Sequence, residues 1–315
     1  MSGADLWRLG AKLARAPWRA QSYLYLIERA LLAVTSRSEG SQLFILGPPR
    51  TGTTLIYQYI AHRLNVAYFT NGVGRYPLAP CVVTYAQKRL WGSYVSDFNS
   101  TFGKVIGPLG PREAGAFWNR CFDAEAYQRA DDIAPRKVDT LRRTIWRIQG
   151  IYGGTPFVNK NVKHLLRIHA LKEIFPQSFF LVVERDLVDA ALSLLRGRHE
   201  LFGGSRQWWS VRPPDYDDLK DLPLPEQVTG QYLSLIDKME KDLAELPADR
   251  VLRISYEHFC SNPEALIEQI RTRLGTIDYR NSAVDSFTVA KNVPDTDEEL
   301  ELVRKLEGGR RHTLP

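Results

Sequence analysis

The sequence predicts an α/β fold, a parallel sheet flanked by helices on both faces and carrying helical and loop insertions. Three observations predict it. Short apolar runs at Gln42–Leu46 and 178–184 read as buried strands, and Val251–Ser255 reads as a further strand. Each leads into a stretch with apolar residues three or four apart, the spacing of a helix face. The length, 315 residues, suits one large α/β domain or two small ones.

The elements follow in order. Residues 4–36 read as one or two amphipathic helices carrying Trp7, Trp18, Tyr23 and Tyr25. They are expected to pack on the domain, with a membrane surface or a partner as the other reading. The strand Gln42–Leu46 stops at Gly47-Pro48-Pro49-Arg50-Thr51-Gly52-Thr53-Thr54, after which Leu55, Ile56, Tyr59, Ile60 and Leu64 share a helix face. A second unit starts with a strand at 156–160 and continues as a helix with Leu165, Ile168, Leu171 and Phe175, closed by Pro176. After strand 178–184, Asp186 caps a helix running to about residue 197. Strand Val251–Ser255 leads to the helix Pro263–Leu274. Between the units, 70–112 and 199–225 have weaker patterns and many Gly, Pro, Tyr and Trp residues. In parallel-sheet proteins such insertions rise at the C-terminal edge of the strands and shape the ligand site. The last 30 residues are charged and half helical by pattern, ending in a Gly-Gly-Arg-Arg tail.

Composition removes several classes. Apolar residues make up 44% and charged residues 25%, which excludes collagen-like and wholly disordered chains. Forty-two Lys and Arg against 36 Asp and Glu leave a net charge of +6, an excess that suits an anionic ligand but is too small for a nucleic-acid surface. Cys81, Cys121 and Cys260 lie far apart, which excludes a disulfide framework and speaks against zinc; a reducing, cytoplasmic setting is expected. No run of about 18 apolar residues would span a membrane. A signal-peptide pattern is missing at the N-terminus.

The loop 47–54 carries the chemistry. Gly47 and Gly52 with Thr53-Thr54 nearly make a P-loop, in which backbone N–H groups and a helix N-terminus face an anion. Gly52 permits a backbone approach that a Cβ would hinder. The nucleotide triphosphatase pattern has Lys after the second glycine; here Thr53 stands there, and the cation comes earlier as Arg50. The site therefore reads as built for phosphate without the β/γ-phosphate and Mg²⁺ arrangement.

Pro49-Arg50-Thr51-Gly52-Thr53-Thr54 resembles the phosphosulfate-binding loop of sulfotransferases that use 3′-phosphoadenosine 5′-phosphosulfate (PAPS). The Arg form is similar to tyrosylprotein sulfotransferases and many bacterial members. Two further segments and a fourth, shorter one extend the resemblance. Arg185 ends a strand and Ser193 follows eight residues later, matching the family's pair for the 3′-phosphate. Arg is a fixed fork for phosphate oxygens and Ser adds a hydroxyl from the next helix. Lys160-Asn161-Val162-Lys163-His164-Leu165 resembles the Lys-Ser-Pro-x-His-Leu segment of bacterial members, without its Pro, and makes Lys160 the cation near the transferring group. Tyr256-Glu257 with Asn262-Pro263 looks like the family's Tyr-Glu segment, where the Tyr helps hold the nucleotide; a buried strand-end Tyr is the other reading.

The resemblance implies one sulfotransferase domain over 1–315, with 1–40 packed on it and 70–150 and 199–228 as acceptor-shaping insertions. It implies transfer of a sulfuryl group from PAPS to a hydroxyl or amine of a small-molecule, lipid or glycan acceptor, leaving 3′-phosphoadenosine 5′-phosphate (PAP), with no metal required. Pro49, Arg50, Thr51, Gly52, Thr53, Thr54, Arg185, Ser193 and Tyr256 would bind the nucleotide. Arg50 and Lys160 would stabilise developing charge. The acceptor also needs a base. The family places a Glu after the loop or uses a His, but 65–80 holds no Asp or Glu. Glu113 in Gly110-Pro111-Arg112-Glu113 is the leading candidate, with a helix N-terminal Glu as its plain reading; His164 and then His199 follow. His164 could instead orient the nucleotide. Alternatives are a P-loop kinase or NTPase, disfavoured by the missing Lys and the lack of a strand-end Asp, and a non-catalytic nucleotide-binding protein. Expected partners are the acceptor and, through the N-terminal helices, a membrane surface, but no nucleic acid.

Overall fold

The computed structural model describes residues 18–34, 39–203, 207–275 and 277–310. Its five strands are β1 (Gln42–Leu46), β2 (Ala67–Tyr68), β3 (Phe157–Lys160), β4 (Phe179–Glu184) and β5 (Val251–Ser255). They form one sheet in the order β2-β3-β1-β4-β5, and every pairing is parallel. All five residues of β1 and all four of β3 are buried, as a strand covered on both faces requires. β2 is only two residues long, too short for a periodic signal in the sequence.

The longer helices are α1 (Trp18–Val34), α2 (Thr53–Arg63), α3 (Pro80–Trp91), α4 (Pro135–Ile151), α5 (Ile168–Ile174), α6 (Leu187–Phe202), α7 (Leu224–Ala244), α8 (Pro263–Leu274) and α9 (Asp297–Arg310). One core runs through the sheet and its covering helices. A smaller apolar cluster, with Leu192, Leu195, Val228, Tyr232, Leu302 and Leu306, joins α6, α7 and α9.

Capping explains several boundaries. The Asp186 side chain accepts from the Asp189 N–H at 2.9 Å and starts α6, as the sequence leads one to expect. Asn262 does the same for Ala265 at the start of α8. α3 has no side-chain cap of its own. Instead the buried Glu28 of α1 accepts from the N–H groups of Cys81 at 3.0 Å and Val82 at 2.9 Å, docking α1 on the domain. Of the expected 4–36 helices, residues 4–17 and 35–36 lie outside the described residues, as does the end of the C-terminal tail beyond residue 310.

Two expectations need correction. The helix past 160 is split into a 3-10 turn, Val162–Leu166, and α5, because Arg167 between them is non-helical (φ −138°) and buries its guanidinium against the Asp123 carbonyl at 3.2 Å. α6 does not stop near residue 197 but continues to Phe202, where Gly203 (φ 62°) forms the left-handed C-cap. The stretch 70–150 contains α3 and α4, and α4 packs on β2, β3 and α3.

Candidate active site

The parallel strands end together. β1 lies between β3 and β4, so the edge beyond Leu46, Lys160 and Glu184 is the switch point where ligands bind in open parallel sheets. A cavity of about 660 Å³ opens there.

The loop after β1 forms its floor. Pro48 O accepts from the Thr51 hydroxyl at 2.8 Å, Pro49 O from the buried Tyr232 hydroxyl, and Arg50 O from the Arg185 guanidinium at 3.0 Å. The loop carbonyls are thus engaged and do not oppose an incoming anion. α2 starts at Thr53 with no side-chain cap, so its first N–H groups remain available at the cavity. Gly52 has φ 86°, and a Cβ there would sit 2.1 Å from Cδ2 of Tyr256. Glycine is required on both counts, because Tyr256 lies flush against the loop.

Cations converge above this floor. Among the described residues, Arg50, Lys160, Lys163 and Arg185 line the cavity, against one carboxylate, Glu113. Arg50 adopts φ 69°, unusual for a side-chain-bearing residue, and its Nε donates to Ser193 Oγ on α6 at 2.9 Å. Burial, reinforced by the Arg185 charge, lowers its pKa below the ordinary guanidinium value. Arg185 lies 4.8 Å from the Tyr256 ring centroid and its Nε is buried with no hydrogen-bond partner. Burial raises the Tyr256 phenol to about 12. Four cations, an unpaired buried guanidinium N–H and a glycine-paved floor suit an anion with more than one charged group, such as the phosphosulfate and 3′-phosphate of PAPS.

Glu113 and Lys160 meet as an ion pair. Asn159 and Asn161 bracket Lys160 at the end of β3. Asn159 Nδ2 donates to Arg112 O at 3.3 Å and Asn161 Nδ2 to Glu113 O at 3.2 Å, so the loop bearing Glu113 is fastened to the end of β3. Ala114 follows in the left-handed region, φ 53°.

Neither histidine joins this group. His164, expected as a catalytic residue, is fully buried: its ring lies 4.7 Å from Trp118 and 5.3 Å from Phe44, and Nε2 meets Asn159 Oδ1 at 2.9 Å. The segment after Lys160 turns inward at the 3-10 helix, carrying His164 into the core instead of the cavity. Burial, then the charges of Arg167 and Lys160, lowers its pKa well below 6.5. His199 pairs with Glu298 of α9 at 2.6 Å, away from the cavity lining.

Two other lining residues lie outside every segment the sequence pointed to for the site. Ala290 and Asn292 belong to an aperiodic segment pinned to α6 by the Asn292 N–H on Asp189 Oδ1 at 2.6 Å. Ala290 O accepts from Arg185. Phe102, Gly103 and Ser100 come from within 70–112, and Trp209 and Ser210 from within 199–225. Of the other aromatics in those stretches, Trp91 is exposed, Tyr94 is buried, and Trp208 packs on Tyr216 at 4.8 Å.

A parallel sheet with a phosphate-type loop at its switch point and basic residues at three neighbouring strand ends defines a nucleotide-type transferase class. Residues 42–279 match the model of the sulfotransferase family, and the chain belongs to that family. It is 26% identical over 262 residues to the omega-hydroxy-beta-dihydromenaquinone-9 sulfotransferase Stf3 of Mycobacterium bovis and of Mycobacterium tuberculosis, covering 75% of this chain. The chain spans 63% of the length of these curated relatives. The crystal structure of sulfotransferase STF1 from Mycobacterium tuberculosis H37Rv superposes with a TM-score of 0.53 at 14% identity, over 90% of this chain and 75% of the other. That of STF9 from Mycobacterium avium gives 0.51 at 16% identity, over 94% and 74%. At these identities the two structures speak for the fold.

Proposed function

We propose that this protein is an enzyme that moves a sulfuryl group from PAPS to a hydroxyl or amine of a small-molecule acceptor. The observation that carries this reading is the convergence of Arg50, Lys160 and Arg185, from three strand ends, on one cavity floored by the glycine loop. The family match and the Stf3 relatives, whose name specifies a hydroxylated dihydromenaquinone, support it.

PAPS, when bound, supplies a sulfuryl group on a phosphate leaving group. Arg185 and Ser193 would hold the 3′-phosphate, and Tyr256 would lie beside the nucleoside. Arg50 and the N-terminus of α2 would stabilise charge that develops on the bridging oxygen, a role fixed donors perform without reorganisation. Glu113 would take the proton from the acceptor hydroxyl, and Lys160, already on Glu113, would hold it toward the loop.

We also assign the protein to the cytoplasm with peripheral membrane contact. Cys81, Cys121 and Cys260 are free and buried. No helix among the described residues is long and apolar enough to cross a membrane. Tyr23, Leu26 and Ile27 of α1 are 70%, 61% and 50% exposed and offer an apolar face to a membrane surface.

Incubation with PAPS and mixed alcohol, phenol and glycan acceptors, read by mass spectrometry, tests the activity. Sulfated product that disappears in Arg50→Ala supports it; PAPS left intact with every acceptor contradicts it.

A further inference from the structure

Strain gathers around the cavity. Among the described residues, five non-glycine residues have positive φ. Arg50 (69°), Phe102 (48°) and Ser210 (73°) line the cavity, and Ala114 (53°) follows Glu113, which also lines it. A left-handed backbone costs an L-residue about 1–2 kcal/mol, and a bulky aromatic there is an outlier. Such conformations persist where the surroundings impose them, commonly at binding sites.

Phe102 sits at the tip of a two-residue turn. Thr101 and Lys104 exchange both backbone hydrogen bonds, at 3.0 and 2.9 Å, and Phe102 and Gly103 between them are both left-handed. That turn favours Asn-Gly; a Phe in its first position gives up backbone ease to present a ring. The ring meets Trp209 edge to face, with centroids 5.5 Å apart and planes at 80°.

Trp209 has a seat made for it. A Cβ on Gly197 of α6 would lie 2.4 Å from the Trp209 ring. Glycine inside a helix costs about 1 kcal/mol relative to Ala, so the notch is a local sacrifice that admits the indole. The loop behind it is fixed from the core. Arg198, fully buried, donates to Gln227 Oε1 at 2.8 Å and Gln231 Oε1 at 2.7 Å. Gln231 Nε2 in turn donates to Trp209 O at 3.1 Å and Val211 O at 2.7 Å. Both rings stand over the Arg50 guanidinium, 5.8 and 5.9 Å from its carbon.

We infer that Phe102 and Trp209 form an acceptor subsite, an aromatic wall that selects alcohols carried on a flat, unsaturated apolar group such as a phenol or naphthol. The inference rests on the proposed transfer reading, which puts the reacting group at Arg50. Arg185 and Tyr256, which that reading gives to the nucleotide, follow β4 and β5. Among the described lining residues, the Asn292 carboxamide is committed to Asp189 O and Arg196, and the Glu113 carboxylate is paired with Lys160.

The test is calorimetric titration of 2-naphthol into the protein with and without PAP, alongside its saturated counterpart decahydro-2-naphthol. The wild-type protein is expected to prefer the flat ring. Trp209→Ala and Phe102→Ala should each weaken 2-naphthol binding by about tenfold or more. Gly197→Ala should do the same by expelling the ring, while Trp209→Phe keeps most of the affinity. PAP affinity should stay within about twofold in all four. Equal affinity for the flat and saturated alcohols, unchanged binding in both alanine variants, or a parallel loss of PAP affinity would overturn the subsite. Failure of the wild-type protein to bind PAP would contradict the transfer reading instead, and the naphthol titration without PAP would still decide the wall.

Discussion

Arg50 reaches across from the loop after β1 to donate its Nε–H to the hydroxyl of Ser193 on α6, 2.9 Å away. One hydrogen bond thus ties the loop expected to hold the phosphosulfate to the helix expected to hold the 3′-phosphate. Arg50→Ala is expected to lower kcat about 10²–10³-fold, the usual loss for one fixed donor to a developing oxyanion. Steady-state kinetics with PAPS checks this, and wild-type turnover in the variant would remove Arg50 from the chemistry.

Arg185→Ala with Ser193→Ala should weaken PAP binding strongly, because each hydrogen bond to a charged phosphate contributes about 1.5–3 kcal/mol. The buried, unpartnered Nε of Arg185 makes it the larger of the two effects. Calorimetry with PAP measures both; an affinity equal to wild type would show that the 3′-phosphate lies elsewhere.

Glu113→Gln keeps the size of the side chain and removes its capacity to accept a proton. If Glu113 is the base, kcat falls about 10²–10⁴-fold with PAP affinity preserved. An unchanged rate would leave Glu113 as no more than the ion-pair partner of Lys160.

Gly52→Ala should be damaging in two separable ways. The backbone at φ 86° costs an alanine about 1–2 kcal/mol, and its Cβ would strike Tyr256. Adding Tyr256→Ala should recover the steric part of the lost stability but not the backbone part, a non-additivity that denaturant melts of the two singles and the double resolve. Strict additivity would mean the ring does not press on the loop.

His164 predicts an acid-sensitive fold. Its native pKa lies well below 6.5, because burial and two nearby cations disfavour the imidazolium. The unfolded chain takes up the proton near the ordinary value, so below about pH 6.5 unfolding binds a proton the native state refuses. Its contribution to stability is present above that pH and is lost as pH falls, by up to about 1.4 kcal/mol per pH unit. Urea unfolding between pH 7.5 and 5 should show this slope reduced in His164→Gln. An identical slope in the variant would assign the acid sensitivity to other groups.

The sheet was largely legible because β1 and β4 are mostly buried apolar runs and β5 alternates buried Leu252 and Ile254 with exposed Arg253, patterns that announce themselves without tertiary information. So was the loop, whose glycine and hydroxyl spacing is local. Two kinds of feature were not. β2 and the segment bearing Ala290 and Asn292 owe their places to long-range contacts, Ala67 and Tyr68 to β3 and Asn292 to Asp189, and carry no periodicity. His164 shows the converse: its motif context pointed to the site, but a 3-10 turn, capped by Asn161 accepting from Lys163 N–H at 2.9 Å, rotates it into the core. Trp208 and Trp209 are neighbours in sequence with opposite fates, one edge-on to Tyr216 and the other over Arg50, seated in the Gly197 notch.

On the proposed reading, the cavity at the ends of β1, β3 and β4 binds a 3′-phosphorylated adenine nucleotide through Arg50, Arg185 and Ser193. Calorimetric titration of PAP in the presence of EDTA, set against ATP with Mg²⁺, tests it directly. Metal-independent PAP binding that collapses in the Arg185→Ala, Ser193→Ala double variant is the expected result. Tight binding of ATP with Mg²⁺ and none of PAP would contradict it.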